Sequence, residues 1–216
     1  MHQNGPLLVE SRDGVRVLTL NRPRVRNALD GRLSAELCTA FQEAATDIGL
    51  RAVVLGGAGS VFCAGADLAW VARAEVITEA ERLRDADLFL RLFRAIDDCP
   101  LPVIGRVQGA AYGGGVGLLA ACDAVVAADD TQFALREVRV GLVPAIIAPL
   151  LVRTIGMSQA RRYCLTGEPF SANTAQRIGL VHEVVVPPEL DGAVEDLVRH
   201  VQEAGPQAVR ETKALL

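Results

Sequence analysis

The chain has 216 residues, half of them hydrophobic and 22% charged, with a formal net charge of −4. That length and composition suit one globular domain with a sizeable core, and they exclude the basic stripe of a general nucleic-acid binder. No apolar run reaches the roughly 18 residues of a membrane span. The start, "MHQNGPLLVESRDG", lacks the basic and apolar blocks of a secretory signal. Cys38, Cys63, Cys99, Cys122 and Cys164 are odd in number and form no CxxC pair, so reduced thiols and a cytoplasmic location are expected.

In chain order, "VRVLTL" (15–20), bounded by Gly14 and "NRP", reads as a strand. Asp30 is a plausible N-cap for a helix in which Leu33, Leu37, Phe41 and Ala45 recur at i+4. "RAVVLGG" (51–57) reads as a buried strand. A second helix follows from Glu79, with Leu83, Ala86, Phe89, Phe93 and Ile96 on one face. "LPVIGRVQG" (101–109), "CDAVVAA" (122–128) and "HEVVVP" (182–187) are further apolar runs bounded by Pro, Gly or polar residues, as strands are. Residues 144–155 are apolar nearly all round and read as a buried helix, and 188–203 and 206–216 read as amphipathic helices. Strands alternating with helices predict an α/β fold with much parallel pairing. A boundary is expected near 155, where strands give way almost wholly to helices, separating 1–155 from a mainly helical 156–216.

Three segments carry candidate chemistry. "GGAGSVFCAGADLAW" (56–70) follows a strand, and its small residues permit close backbone approach to a ligand; a surface turn is the bland alternative. "GAAYGGGVGLLAACD" (109–123) places Gly113, Gly114, Gly115 and Gly117 where a helix begins. Glycine inside a helix costs about 1 kcal/mol relative to alanine. Unpaired N–H groups at such a start suit a developing negative charge, whereas tight helix–strand packing is the rival explanation. In "FALREVRVGLVP" (133–144), Glu137 precedes a mostly apolar stretch; a lone Glu is usually solvated. No His/Cys/Asp cluster has metal-ligand spacing, and no GxSxG elbow or phosphate loop occurs. Trp70 and Tyr112 are candidate pocket aromatics with core packing as the alternative, and His182 is read as structural.

Taken together, in this order and spacing, "NRPRVRNALD" (21–30), "FCAGADL" (62–68), "VQGAAYGGGVGLLAACD" (107–123) and "LTGEPFSANTAQRIGLVHEVV" (165–185) resemble the enoyl-CoA hydratase/isomerase, or crotonase, family over nearly the whole chain. The resemblance implies a crotonase-like spiral of ββα units followed by a helical C-terminal region. It implies an acyl-CoA thioester as substrate, no cofactor beyond the coenzyme A that substrate carries, no metal, no nucleic-acid or membrane partner, and a homotrimer or dimer of trimers. It gives the backbone N–H groups of Ala66 and Gly114 to the thioester oxygen, with a side chain at Gly114 expected to crowd the thioester. It lays Ala64, Gly65, Ala66, Asp67 and Leu68 along the pantetheine and adenine, adds Ala28 and Gly113 to the binding surface, and offers Arg24 and Arg26 for phosphates, with plain exposed charge as their alternative.

Hydratases of this family typically carry two glutamates. The second matches Glu137, and the first falls on Gly117. The local wording is most similar to bacterial methylglutaconyl-CoA hydratase-like members, which implies hydration of an enoyl-CoA, branched or glutaconyl-type, with Gly117 leaving room for a substrate carboxylate. A Δ3,Δ2-enoyl-CoA isomerase using one glutamate is the alternative, and a non-catalytic acyl-CoA-binding protein is the second. Arg136 and Arg139 are candidates to hold a substrate carboxylate. Family members usually continue past "VRETKALL" with further helices that cover the acyl site or a neighbouring subunit.

Overall fold

The computed structural model describes residues 5–216; His2 lies outside them. Strands β1 (Leu7–Arg12) and β2 (Val15–Leu20) form an antiparallel hairpin in the register Leu7↔Leu20 to Arg12↔Val15. Its two-residue turn is Asp13–Gly14, both at positive φ (52° and 76°), which suits the right-handed twist of the strands it joins. Strands β3 (Ala52–Gly57), β4 (Val103–Val107), β6 (Ala124–Ala128) and β9 (Glu183–Val185) then add in parallel, giving a six-stranded sheet in the order β1-β2-β3-β4-β6-β9. The strands expected at 15–20, 51–57, 101–109, 122–128 and 182–187 all belong to this sheet.

The short strands β5 (Ala110–Tyr112), β7 (Gln132–Ala134) and β8 (Phe170–Ser171) form a second, three-stranded sheet. An isolated parallel bridge from Cys63 to Ala111 brings the loop after β3 alongside it. Each turn of the chain therefore contributes to the large sheet, then to the small one, and then to helix. The helices are α1 (Gly31–Thr46), α2 (Leu68–Ala72), α3 (Glu79–Asp97), α4 (Gly114–Ala120), α5 (Ala148–Thr166), α6 (Ala172–Arg177), α7 (Leu190–Glu203) and α8 (Pro206–Leu215). Asp30 caps α1 by accepting from the Leu33 N–H at 2.8 Å. Thr78 and Glu81 form a reciprocal capping box at α3.

The main core is centred on Phe41, Phe62, Phe133 and the leucines of β2 and α1, all fully buried. It continues past residue 155: Phe133 stacks on Phe170 with centroids 5.6 Å apart, and Tyr163 meets Phe170 at 4.3 Å. Strand β8 extends the small sheet and β9 the large one, while Leu190 and Val194 of α7 cover its other face with Val15, Val54, Ile104 and Val126. Residue 155 falls inside α5, just before Gly156, whose non-helical φ of 73° kinks the helix. The reading of 144–155 as wholly buried is corrected: Ile147, Leu151 and Ile155 are buried at i+4 spacing, whereas Ala145, Pro149 and Arg153 are exposed. Apolar composition hid an amphipathic stretch, and only its inward stripe packs.

Loop 21–30 ties the hairpin to the loop after β3. Asn27 is fully buried in the left-handed region (φ 56°). Its Nδ2 donates to the carbonyls of Ala58 (2.8 Å) and Val61 (2.7 Å), and its Oδ1 accepts from the Arg22 N–H at 2.8 Å. Asn27→Ala strands these partly buried groups and keeps the strained backbone, so we expect a loss of about 2–3 kcal/mol, read by denaturant unfolding.

Candidate active site

The loop after β3 runs through Ala64, Gly65 and Ala66 to Asp67, which caps α2 by accepting from the Ala69 and Trp70 N–H groups. It pairs with Leu29 as one rung of a parallel bridge: the Leu29 N–H donates to the Gly65 carbonyl and the Asp67 N–H to the Leu29 carbonyl, both at 2.8 Å. In a trans peptide the C=O and following N–H point in opposite directions. Because the Gly65 carbonyl faces Leu29, the Ala66 N–H faces away from it. Gly65 has φ 89°, and a Cβ there would stand 2.7 Å from the Tyr112 carbonyl oxygen. Across the gap, Gly114 is the first residue of α4, so its N–H has no intrahelical acceptor. An ideal Cβ on Gly114 would be 3.9 Å from the Ala66 nitrogen, so the two residues adjoin across the gap. Among the described residues neither N–H has a protein acceptor.

The glycines of 113–117 serve four separate purposes. Gly113 (φ 48°) underlies Glu137: a Cβ there would sit 2.7 Å from Oε1. A Cβ on Gly114 would meet Leu29 Cδ1 at 3.3 Å, so its absence relieves packing on Leu29. Gly115 lies against the Cys63 carbonyl, 2.6 Å from where its Cβ would be. Gly117 is filled space: a Cβ would be 2.3 Å from Ile147 Cγ2 and 3.0 Å from Phe93 Cε1. The room expected at Gly117 for a substrate carboxylate does not exist, because core side chains occupy it.

Glu137 opens a 3-10 turn (Glu137–Val140) closed by Gly141 at φ 73°. The Gly113 N–H donates to the Ala134 carbonyl at 2.8 Å, which keeps the chain leading to Glu137 in step with the chain leading to α4. Oε2 of Glu137 is buried and has no hydrogen-bond partner. Burial pushes the carboxyl above the usual carboxylate range, opposed only by its own backbone N–H. Beside it Arg136 lies over the Tyr112 ring, its guanidinium carbon 4.6 Å from the centroid, and pairs with no carboxylate among the described residues. Arg139 turns away to the Thr166 carbonyl at 3.3 Å.

These groups share a cavity of about 450 Å³. Arg26, Ala28, Ala64, Gly65, Ala66, Asp67, Leu68, Tyr112, Gly113, Arg136 and Glu137 line it, and Gly114 is not part of the lining. Two wider hollows, of about 700 and 830 Å³, lie over the outer face of the sheet and beside α8, away from these groups. Of the expected binding residues, Arg24 is exposed on the neighbouring turn and is not part of the lining, so the cavity brings in Arg26 without it. The Asp67 carboxylate is committed to its N-cap and to Arg22 at 3.0 Å, which leaves its backbone as the part that borders the cavity. Trp70 stacks on Phe89 at 4.9 Å and belongs to the packing, as its core alternative had it. His182 accepts the Val125 N–H at Nδ1 (3.0 Å), a structural role. Sequence reasoning passed over Arg22 and Asn27, although the polar run "NRPRVRN" contained the signal: two of its side chains are turned inward.

Two adjoining backbone N–H groups without protein acceptors and a half-buried, unpaired carboxyl nearby are the groups a site needs to polarise a carbonyl and move a proton beside it. The comparisons with known proteins specify the class further. The chain belongs to the enoyl-CoA hydratase/isomerase family, whose model matches residues 10–216. It is 35% identical over 213 residues to an enoyl-CoA hydratase of Alternaria alternata, covering 98% of this chain and 69% of that one. It is 36% identical over 179 residues to the 2,3-dehydroadipyl-CoA hydratase of Escherichia coli, covering 82% and 68%. The crystal structure of an enoyl-CoA hydratase from Mycobacterium smegmatis superposes with a TM-score of 0.93 at 38% identity, over 98% of this chain and 82% of that one. The fold is thus the crotonase fold, with a helical C-terminal region.

Two predictions follow from packing and burial. A carboxyl whose pKa is raised by folding holds its proton longer in the folded state, so its ionisation subtracts stability as pH rises through the folded value. Glu137→Gln removes that cost: the variant should melt higher than the parent at pH 8, and the gap should close below about pH 4, where the carboxyl is protonated in both states. Equal melting differences at both pH values would contradict it. Gly117→Ala forces a methyl into Ile147 and should cost about 1–3 kcal/mol, and Ile147→Ala should cost less in the Gly117→Ala background than in the parent; calorimetry of the two single variants and the double variant checks this.

Proposed function

We propose that this chain hydrates an enoyl-CoA to a 3-hydroxyacyl-CoA. The observation that carries the reading is the unpartnered, buried Oε2 of Glu137, a residue that lines one cavity with Ala66 and with Gly113, the neighbour of Gly114. In this reading the thioester oxygen accepts from both N–H groups, which stabilises the enolate. The Glu137 carboxylate orients a water and takes its proton as the water oxygen bonds to the β-carbon. The same proton then passes to the α-carbon, so one carboxyl serves as base and then acid. Its raised pKa suits both halves, since a carboxyl poised nearer neutrality donates as well as accepts. Coenzyme A arrives as part of the substrate, and no other cofactor takes part. Arg26, Ala28, residues 64–68 and Gly113 flank the carrier, and Arg24, exposed on the next turn, remains a candidate for its phosphates.

The finer reading is an acyl group ending in a carboxylate, of the branched or glutaconyl type. Its support is Arg136, held over Tyr112 beside Glu137 and free of any carboxylate partner among the described residues. The apolar side chains of Leu68, Val140 and Val143, exposed by 63, 53 and 76%, support a homotrimer or dimer of trimers that covers them. Within the described residues no helix is long and apolar enough to cross a membrane; a cytoplasmic enzyme without a membrane or nucleic-acid partner is part of this proposal and rests on the sequence.

The test is loss of the conjugated enoyl-thioester absorbance with crotonyl-CoA and with a glutaconyl-type thioester, alongside light scattering for the assembly. Glu137→Gln should reduce hydration at least about 100-fold. Arg136→Met should lower the preference for the carboxylated substrate about tenfold. Proton exchange at the α- and γ-carbons without water addition would make the enzyme an isomerase. Binding of acyl-CoA with no turnover of any substrate would make it a non-catalytic binder.

A further inference from the structure

The donor pair works only if the Gly65–Ala66 peptide keeps its orientation, and the rung that engages that peptide directly is Leu29, with the Cys63–Ala111 bridge and the Ala64–Arg26 hydrogen bond tying the loop further back. Leu29 is itself in a loop. What grips it is Arg22. The guanidinium donates through Nη1 to the carbonyl of Ala28, the residue before Leu29. Through Nη2 it meets Asp30 Oδ2, the residue after, at 3.0 Å, and Asp67 Oδ2, the residue after Ala66, also at 3.0 Å. Asp30 and Asp67 are in turn the N-caps of α1 and α2. One planar cation therefore closes a ring through both loops and anchors it to two helix starts. The three side chains are largely shielded, exposed by 20, 24 and 15%. The Arg22 backbone N–H is fixed by buried Asn27.

Resting on the hydratase reading above, we propose that Arg22 is a positioning residue for the reaction: it holds the Leu29 rung and the Asp67 cap in register so that the Ala66 N–H stays aimed at the thioester oxygen. Arg22 touches no substrate atom, because its guanidinium is spent on Ala28, Asp30 and Asp67. The guanidinium fork is the part that matters. A point charge on a flexible stem satisfies one carboxylate at a time and leaves the other loop untied. Misaiming one donor weakens stabilisation of the developing oxyanion much more than it weakens ground-state binding, which is spread along the cavity.

The experiment compares Arg22→Gln, Arg22→Lys and Asp67→Asn with the parent, and uses Arg32→Gln, an exposed arginine paired with Glu36 on α1, as control. Turnover is measured with crotonyl-CoA. Polarisation of the carbonyl is measured by difference infrared spectroscopy of bound butyryl-CoA labelled at the thioester carbon, a ligand with no double bond to hydrate. In Arg22→Gln, kcat should fall at least about tenfold, short of the 10²–10³ that follows outright loss of a donor. Its KM should stay within about threefold, and the carbonyl stretch should move back toward that of the free thioester. Arg22→Lys should be intermediate, with Asp67→Asn changing in the same direction. Circular dichroism establishes folding, and if the Gln variant does not fold, the Lys and Asp67 variants carry the comparison. A folded Arg22 variant with parental kcat and parental stretch overturns the proposal, as does a loss confined to KM. A parent that polarises butyryl-CoA and hydrates no enoyl thioester removes the hydratase reading instead; the proposal then stands or falls on the stretch in the variants.

Discussion

A carboxylate held partly out of water with one oxygen unpaired costs free energy wherever it stands, and the architecture around Glu137 is organised by that cost. The 3-10 turn places the side chain over a glycine whose Cβ would collide with it, so nothing but backbone lies beneath. The neighbouring cation, Arg136, is drawn onto the Tyr112 ring and leaves the carboxylate without an ion pair that would hold its pKa down. Burial also raises the pKa of the Cys164 thiol, with the charge of Glu137 adding to the rise. Folding thus spends stability to keep this carboxyl unpaired, a cost that packing alone does not explain.

Opposite that carboxyl the backbone supplies the electrophilic half, and it does so with few side chains. The Ala66 donor depends on peptide geometry set by Leu29, and the Gly114 donor on standing first in a helix. Neither arrangement is local in sequence. The loop after β3 reaches its orientation through contacts with loop 21–30, and α4 starts where it does because Gly113 is pinned to Ala134 on the neighbouring strand. The site is accordingly a junction between turns of the spiral, and every one of its parts is held by a different turn.

Strands with strong apolar runs were legible from sequence, β2 to the residue, because burial on both faces leaves a continuous β-branched signature. β1 was not, since most of its residues are exposed, nor were β5, β7 and β8, two or three residues long and defined by pairing alone. In the site, Ala66, Gly114 and Glu137 were singled out through motif resemblance, while Arg22 drew no notice beside Arg24 and Arg26. Arg24 and Arg26 looked available and Arg22 unremarkable, yet Arg22 is the one turned inward against Asp30 and Asp67. Sequence spacing says which residues share a loop, and only three-dimensional pairing says which of them face its partners. Gly117 was misread for a related reason. A glycine read in isolation suggests a vacancy, and its neighbours in space, Ile147 and Phe93, come from helices 24 and more residues away in the chain.

That last point links core packing to the choice of chemistry. A second acid at position 117 would need a channel through the contact between α4 and the start of α5, where Ile147 Cγ2 already stands inside the radius a Cβ requires. Ile147 begins the buried stripe of α5 with Leu151 and Ile155, so shrinking it weakens the packing of that helix on the core. Glycine at 117 and isoleucine at 147 are therefore one feature: the helix packs closely because the acid is absent, and the acid is excluded because the helix packs closely. Glu137 is the one glutamate or aspartate side chain left unpaired in this cavity among the described residues, and the packing of Ile147 on Gly117 leaves no room for a second at that position.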